Sequence, residues 1–199
     1  MGAKSKSIFY FCAGLFFILL YMIGWMAEKQ IAASSGSIVI NQVYVNGGNT
    51  NAQYTHDYIE LFNGGLENMS INGWSIQYTK DMSTQWNVIP LQGSIPAGAY
   101  YLIRLTSTSP VGTPMPIADL EEDLDLIISK GNIALVNNLT PLAISTPPSF
   151  INSQDFIIYG TITPVPEGRI GFGLNATRAA YKINQGCIDN NTSGVAYVA

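Results

Sequence analysis

Five carboxylates crowd into one short stretch: Asp119, Glu121, Glu122, Asp123 and Asp125. Calcium takes six to eight oxygen ligands, and clustered carboxylates with backbone carbonyls can supply them. The run is therefore the metal candidate of the chain, with calcium as the ion. Its spacing is not that of an EF-hand, because no Gly stands at the sixth position. The plainer reading is a solvated acidic loop that keeps the surface charged and blunts an edge strand. Asp189, Asn190 and Asn191 form a second oxygen-rich stretch. Turn formation explains that one without a metal.

Other chemistry is short of parts. His56 is the single histidine, in Tyr54-Thr55-His56-Asp57-Tyr58. Any Ser-His-Asp relay would have to use it; a local hydrogen bond ahead of a strand is the plainer reading. The chain has two cysteines, Cys12 and Cys187. Cys12 falls inside an apolar stretch. With one histidine and no paired cysteines, a zinc site of the usual N/S type lacks ligands. No P-loop and no GxGxxG occurs. Catalytic and cofactor-binding residues are thus expected to be none.

The elements around these residues set their address. Lys4 and Lys6 precede Ile8–Ala27, twenty residues without a charge. At 1.5 Å per residue a helix of that length spans roughly 30 Å, about one hydrocarbon core. Flanking lysines keep the N-terminus in the cytoplasm and send the rest out. Residues 1–27 read as a signal anchor, with a cleaved signal peptide as the alternative. The cell membrane is then the expected location, and a secreted protein follows from cleavage. Residues 28–36 (EKQIAASSG) read as a short tether. Residues 37–199 form the exported domain. From Gly36 on it carries six Lys/Arg against twelve Asp/Glu. A phosphate-tracking surface needs clustered Lys and Arg, so nucleic acid is not an expected partner. Only Cys187 lies beyond the apolar segment, so no disulfide forms within the domain and its core must hold it together.

The domain alternates short apolar runs with Gly, Asn and Pro turns. Strands are predicted at Ile38–Val45, Tyr58–Asn63, Trp74–Thr79, Trp86–Pro90, Tyr100–Leu105, Asn132–Val136, Asp155–Gly160 and Ala179–Ile183, with a late one at Val195–Val198. Ile59 and Leu61 oppose Tyr58, Glu60 and Phe62; Trp74, Ile76 and Tyr78 oppose Ser75 and Gln77. Ile117–Ile128 has no helical face and reads as a loop passing into a strand. Pro141–Phe150 reads as an exposed loop. Trp74 is expected in the core and Trp86 at the surface. The fold class is an all-β sandwich preceded by one apolar helix.

The order of these motifs resembles the lamin tail domain as found in exported bacterial proteins. Ile40-x-x-Val43-Tyr44-x-x-Gly47 is followed by Asp57-Tyr58-Ile59-Glu60-Leu61-Phe62-Asn63 and Gly73-Trp74-Ser75-Ile76-Gln77-Tyr78. Then come Leu91-x-Gly93-x-Ile95-Pro96-Ala97-Gly98-x-Tyr100-Tyr101-Leu102, Ser129-Lys130-Gly131-Asn132-Ile133-Ala134-Leu135-Val136 and Asp155-Phe156-Ile157-Ile158-Tyr159-Gly160. Glu167-Gly168, Ala176–Tyr181 and Cys187–Asn191 are similar to the closing motifs of the family. Asp189-Asn190-Asn191 is shorter than the family's acidic run, and Gly194-Val195 stands where Asp-Phe is expected. The resemblance therefore carries no ion site to that end. What it implies is an immunoglobulin-like sandwich that serves as an interaction module.

Tyr44, Tyr54, Tyr58, Tyr78, Tyr100 and Tyr101 are many for one domain. Cross-strand pairing accounts for most of them; an exposed aromatic patch would point to sugar or protein recognition. Asn68, Asn138, Asn175, Asn190 and Asn191 head Asn-x-Ser/Thr sequons, which matter only in a glycosylating pathway. The sequence predicts a non-enzymatic, membrane-tethered extracytoplasmic domain binding an envelope or surface protein or a polysaccharide. One alternative is a structural subunit, a homo-oligomer that assembles through edge strands into a surface array or filament. A second is a metal-assisted phosphoesterase accessory.

Overall fold

Short apolar strands decide the architecture: two sheets pack face to face and share one core between them. The computed structural model describes residues 38–80, 85–107, 109–143, 152–160, 174–175 and 177–182. The apolar segment 8–27, the tether 28–36, Asp189–Asn191 and the expected strand at 195–198 lie outside the described residues.

Among the described residues the strands are β1 (Ile38–Tyr44), β2 (Tyr58–Asn63), β3 (Met69–Ser70), β4 (Ser75–Thr79), β5 (Asn87–Pro90), β6 (Ser94–Ile95), β7 (Tyr100–Arg104), β8 (Leu120–Glu121), β9 (Lys130–Val136), β10 (Asp155–Gly160) and β11 (Ala180–Tyr181). One sheet has the order β11-β1-β2-β7-β8, the other β10-β9-β4-β5, and β3 pairs with β6 in a small ribbon. All pairings are antiparallel except β7 with β8. Ile40, Ile59, Leu61 and Ile103 of the first sheet share one core with Ile76, Ile133, Leu135 and Ile157 of the second. This is the expected all-β sandwich. No helix among the described residues is long and apolar enough to cross a membrane.

Of the two expectations about tryptophan, the one for Trp74 holds in part and the one for Trp86 is reversed. Trp74 is half-buried at the margin of the main core, one residue before β4 begins. Trp86 is 5% exposed and packs with Ala134, Val136, Leu142 and Phe156 in a second cluster. That cluster exists because the chain after β9 folds back over the second sheet. The Ser75 hydroxyl donates to the Asn138 carbonyl at 2.6 Å, and the Gln77 amide donates to the Thr140 carbonyl at 2.9 Å. The Leu142 N–H returns a bond to the Gln77 side-chain oxygen at 2.8 Å. Gln77 is thereby satisfied at both ends, which allows a polar side chain to be fully buried. The start of the expected exposed loop at Pro141–Phe150 is corrected accordingly: Leu142 is buried.

Gly131 lies directly opposite Tyr159 across β9 and β10. A Cβ there would stand 2.4 Å from the Tyr159 ring, which is fully buried and has no room to swing. Gly131→Ala is expected to destabilise the domain by about 1–3 kcal/mol, the usual cost of overpacking. A lower urea midpoint reads this out; an unchanged midpoint would mean that the ring yields freely.

Candidate functional site

The acidic run does not gather into one site. Leu120 and Glu121 pair with Ile103 and Arg104 as the parallel edge strand β8, so successive side chains face opposite ways. The Asp119 carboxylate accepts the Leu102 N–H at 2.8 Å. Glu121 forms an ion pair with Arg104. Asp123 accepts the Thr106 hydroxyl at 2.6 Å. Each of these three carboxylates is thus taken up by its own neighbour on β7 or just after it, while Leu120 and Leu124 pack against the core. Among the described residues no group of three or more His, Cys, Asp or Glu stands close enough to hold a metal ion. Glu122 and Asp125 belong to no such group either.

His56 borders a polar recess of about 360 Å³ shared with Arg104, Ser107, Glu121 and Asp123. Its Nδ1 lies 2.8 Å from the Thr55 hydroxyl, the local bond expected from sequence. Partial burial and then the Arg104 charge hold the imidazole below its ordinary pKa. Asp57 does not support it. The Asp57 carboxylate turns inward and accepts the N–H groups of Gly47 at 2.7 Å and Leu126 at 3.0 Å. Ser107 gives its hydroxyl to the Thr55 and Ser109 carbonyls. The three side chains form no relay.

A second concavity has a different character. It is a cleft of about 240 Å³ lined by Gln42, Tyr44, Gln53, Tyr54, Tyr58, Thr177, Ala179 and Tyr181. Its origin is a break in alternation within β1. Ile38 and Ile40 face the core, but so do Val43 and Val45. The register slips between Ile40 and Gln42, so Asn41 is a bulged residue. Without the bulge, Gln42 and Tyr44 would point inward. With it they point outward, beside Tyr58, the cross-strand partner of Tyr44.

The rings support one another. Tyr44 and Tyr58 stack at 5.6 Å between centroids, and Tyr54 meets both edge-on at 5.5 and 5.8 Å. The Tyr44 hydroxyl accepts the Gln53 N–H at 2.8 Å, which fixes the loop that carries Gln53 and Tyr54. That loop closes on Asp57 through Gly47. A side chain at Gly47 would collide with the His56 backbone, its Cβ 2.0 Å from the carbonyl carbon. Burial, followed by its neighbours Tyr54, Glu60 and Tyr44, raises the Tyr58 pKa, so the phenol stays neutral.

The far wall comes from the end of the described chain. Thr177 and Ala179 lead into β11 and line the cleft with Tyr181, which pairs with Gln42. Asn175 shapes the turn ahead of them by accepting the Thr177 N–H at 3.0 Å. Lys182 locks this wall in place. Its ammonium pairs with Asp155 at 2.8 Å, both side chains only 9% exposed. The Lys182 N–H donates to the Asn41 carbonyl at 2.7 Å. Asp155 also accepts the Ile40 N–H at 2.8 Å, and the Asn41 amide donates to Glu60 at 2.6 Å. The bulge is therefore held from both sides, and the same residues hold the cleft.

Sequence reasoning singled out Tyr44, Tyr54 and Tyr58 but sent most of the tyrosines to cross-strand pairing. Tyr78 and Tyr101 do go to the core, and Tyr100 packs at a tilt against Phe62, its cross-strand partner, with ring centroids 4.9 Å apart. Gln42, Gln53, Thr177 and Tyr181 were not legible as one site. The available signal was the doubled phase of Ile38, Ile40, Val43 and Val45, which marks the bulge. No curated protein matches the chain significantly. The profile described as Lamin Tail Domain matches residues 31–140, more than half of the sequence. The chain therefore belongs to the lamin tail domain family, a non-enzymatic family of immunoglobulin-like domains.

Proposed function

We propose that this chain is a membrane-tethered interaction domain, displayed outside the cytoplasm, that engages a protein or polysaccharide partner through the tyrosine cleft. The cleft carries this reading: an uncharged aromatic concavity whose rings are already packed, so binding has little side-chain freedom to remove. Tyr181 at its mouth is 37% exposed. Family membership supports an interaction role. The paired lysines ahead of the uncharged stretch 8–27 support the tether and its orientation.

The test uses the full chain in intact cells. It is expected to stay with membranes through alkaline carbonate extraction. Protease added outside is expected to digest the domain. Recovery in the cytosolic fraction, protected until lysis, contradicts the display reading.

A further inference from the structure

We infer that the tyrosine cleft binds a neutral saccharide, one sugar residue of a longer chain at a time. This rests on the cleft as the contact surface and goes on to name the chemistry of its ligand. Charge is the first argument. The domain carries twice as many carboxylates as cations from Gly36 on, yet among the described residues no Asp, Glu, Lys or Arg lines the cleft. A ligand recognised by its charge would find no countercharge there.

Polar geometry is the second. Gln42 and Gln53 each bring an amide oxygen and an amide NH₂, and Thr177 brings a hydroxyl. An amide presents acceptor and donor side by side, which suits a pair of neighbouring sugar hydroxyls. Tyr44 and Tyr58 are buried, so the apolar C–H face of a pyranose would pack on Tyr181, 37% exposed, and on the half-buried Tyr54. The mixed character of a sugar, wet at its rim and apolar on its faces, matches this alternation of amide and ring.

Size and ring arrangement bear against two competitors. A volume of about 240 Å³ falls below the roughly 300–1,000 Å³ of pockets for drug-sized ligands. It holds a single small unit and leaves the rest of a polymer in solvent. A folded protein partner buries on the order of 800 Å² of its own surface, so it would rest mostly on the surface around the cleft rather than in it. Quaternary ammonium ligands need several ring faces turned to one centre. Here Tyr54 spends its edge on Tyr44 and Tyr58, and those two stack on each other.

The experiment is calorimetric titration of the full chain in a non-glycosidic detergent. The probes are cellohexaose, mannohexaose, N-acetylchitohexaose, an oligogalacturonate and a proline-rich peptide. At least one neutral hexasaccharide is expected to bind. Tyr181→Ala and Gln53→Ala each weaken that binding by roughly tenfold or more. Both residues are exposed, so the melting temperature stays near that of the parent and loss of binding is not loss of fold. Leu66→Ala, at an exposed site outside the cleft, leaves binding unchanged. Binding of the oligogalacturonate or the peptide alone, no binding of any neutral hexasaccharide, or binding indifferent to both cleft variants each overturns the inference. A displayed chain that binds no neutral sugar sinks only this inference. A cytosolic chain sinks the display reading and leaves the sugar result standing.

Discussion

Asp155→Ala is expected to lower the stability of the domain by about 3–5 kcal/mol, the cost of removing one partner of a buried ion pair. The Lys182 ammonium would be left inside the protein without its carboxylate. The Ile40 N–H would lose its acceptor as well. Replacing both charges, as Asp155→Ala with Lys182→Met, is expected to cost less than Asp155→Ala alone, because no unpaired charge remains. Urea unfolding of the two variants makes the comparison. A double variant less stable than the single one would show that the pair stabilises through something other than mutual compensation. The single variant also bears on the cleft. Asp155 and Lys182 hold the bulge at Asn41 and the wall at Tyr181, so oligosaccharide binding should fall together with stability.

Asp57→Ala is expected to be comparably severe, about 2–6 kcal/mol. It leaves the buried N–H groups of Gly47 and Leu126 without acceptors, and each orphaned donor costs about 1–3 kcal/mol. Asp57→Asn should be milder, since its amide oxygen can still accept one of the two. The carboxyl also makes stability depend on pH. Burial raises its pKa from 3.8 to about 7, against the pull of backbone N–H groups from Gly47, Leu126 and Asn46. A folded pKa above the unfolded one means that the folded state binds the proton more tightly. The stabilisation is complete below about pH 4 and is lost as pH rises through 7. Urea midpoints between pH 4 and 8 should fall for the parent and fall less for Asp57→Asn. Equal slopes for both would assign the pH dependence to other groups.

Much of the sandwich was readable because short runs rich in β-branched and aromatic residues are bounded by Gly, Asn and Pro turns. β2 and β10 have the expected bounds, and β4 differs only in starting at Ser75 rather than Trp74. The short strands β3 and β6 were not readable, since two residues carry no period, whereas β8 falls within Ile117–Ile128, read as a loop passing into a strand. Trp86 was misplaced because its burial depends on Leu142, a residue more than fifty positions away that the strap after β9 brings back. The acidic run read as a ligand cluster or a solvated edge, and a linear sequence cannot choose between those. Pairing with β7 sends its carboxylates to Leu102, Arg104 and Thr106. The cleft was hardest to see. Its two walls come from opposite ends of the domain, joined by an edge pairing between Gln42 and Tyr181. The bulge that turns Gln42 and Tyr44 outward is visible only as a slipped phase, which is easily taken for a continuous apolar run.

On the proposed function the outer face of β11, β1 and β2 is the contact surface, whatever the partner. A photoreactive amino acid at Gln53 tests this directly when the full chain is irradiated in intact cells. The same amino acid at Glu121, on the opposite edge strand, serves as the comparison. The account predicts adducts of higher mass from position 53 and none from position 121. Adducts from position 121 with none from position 53 would contradict it.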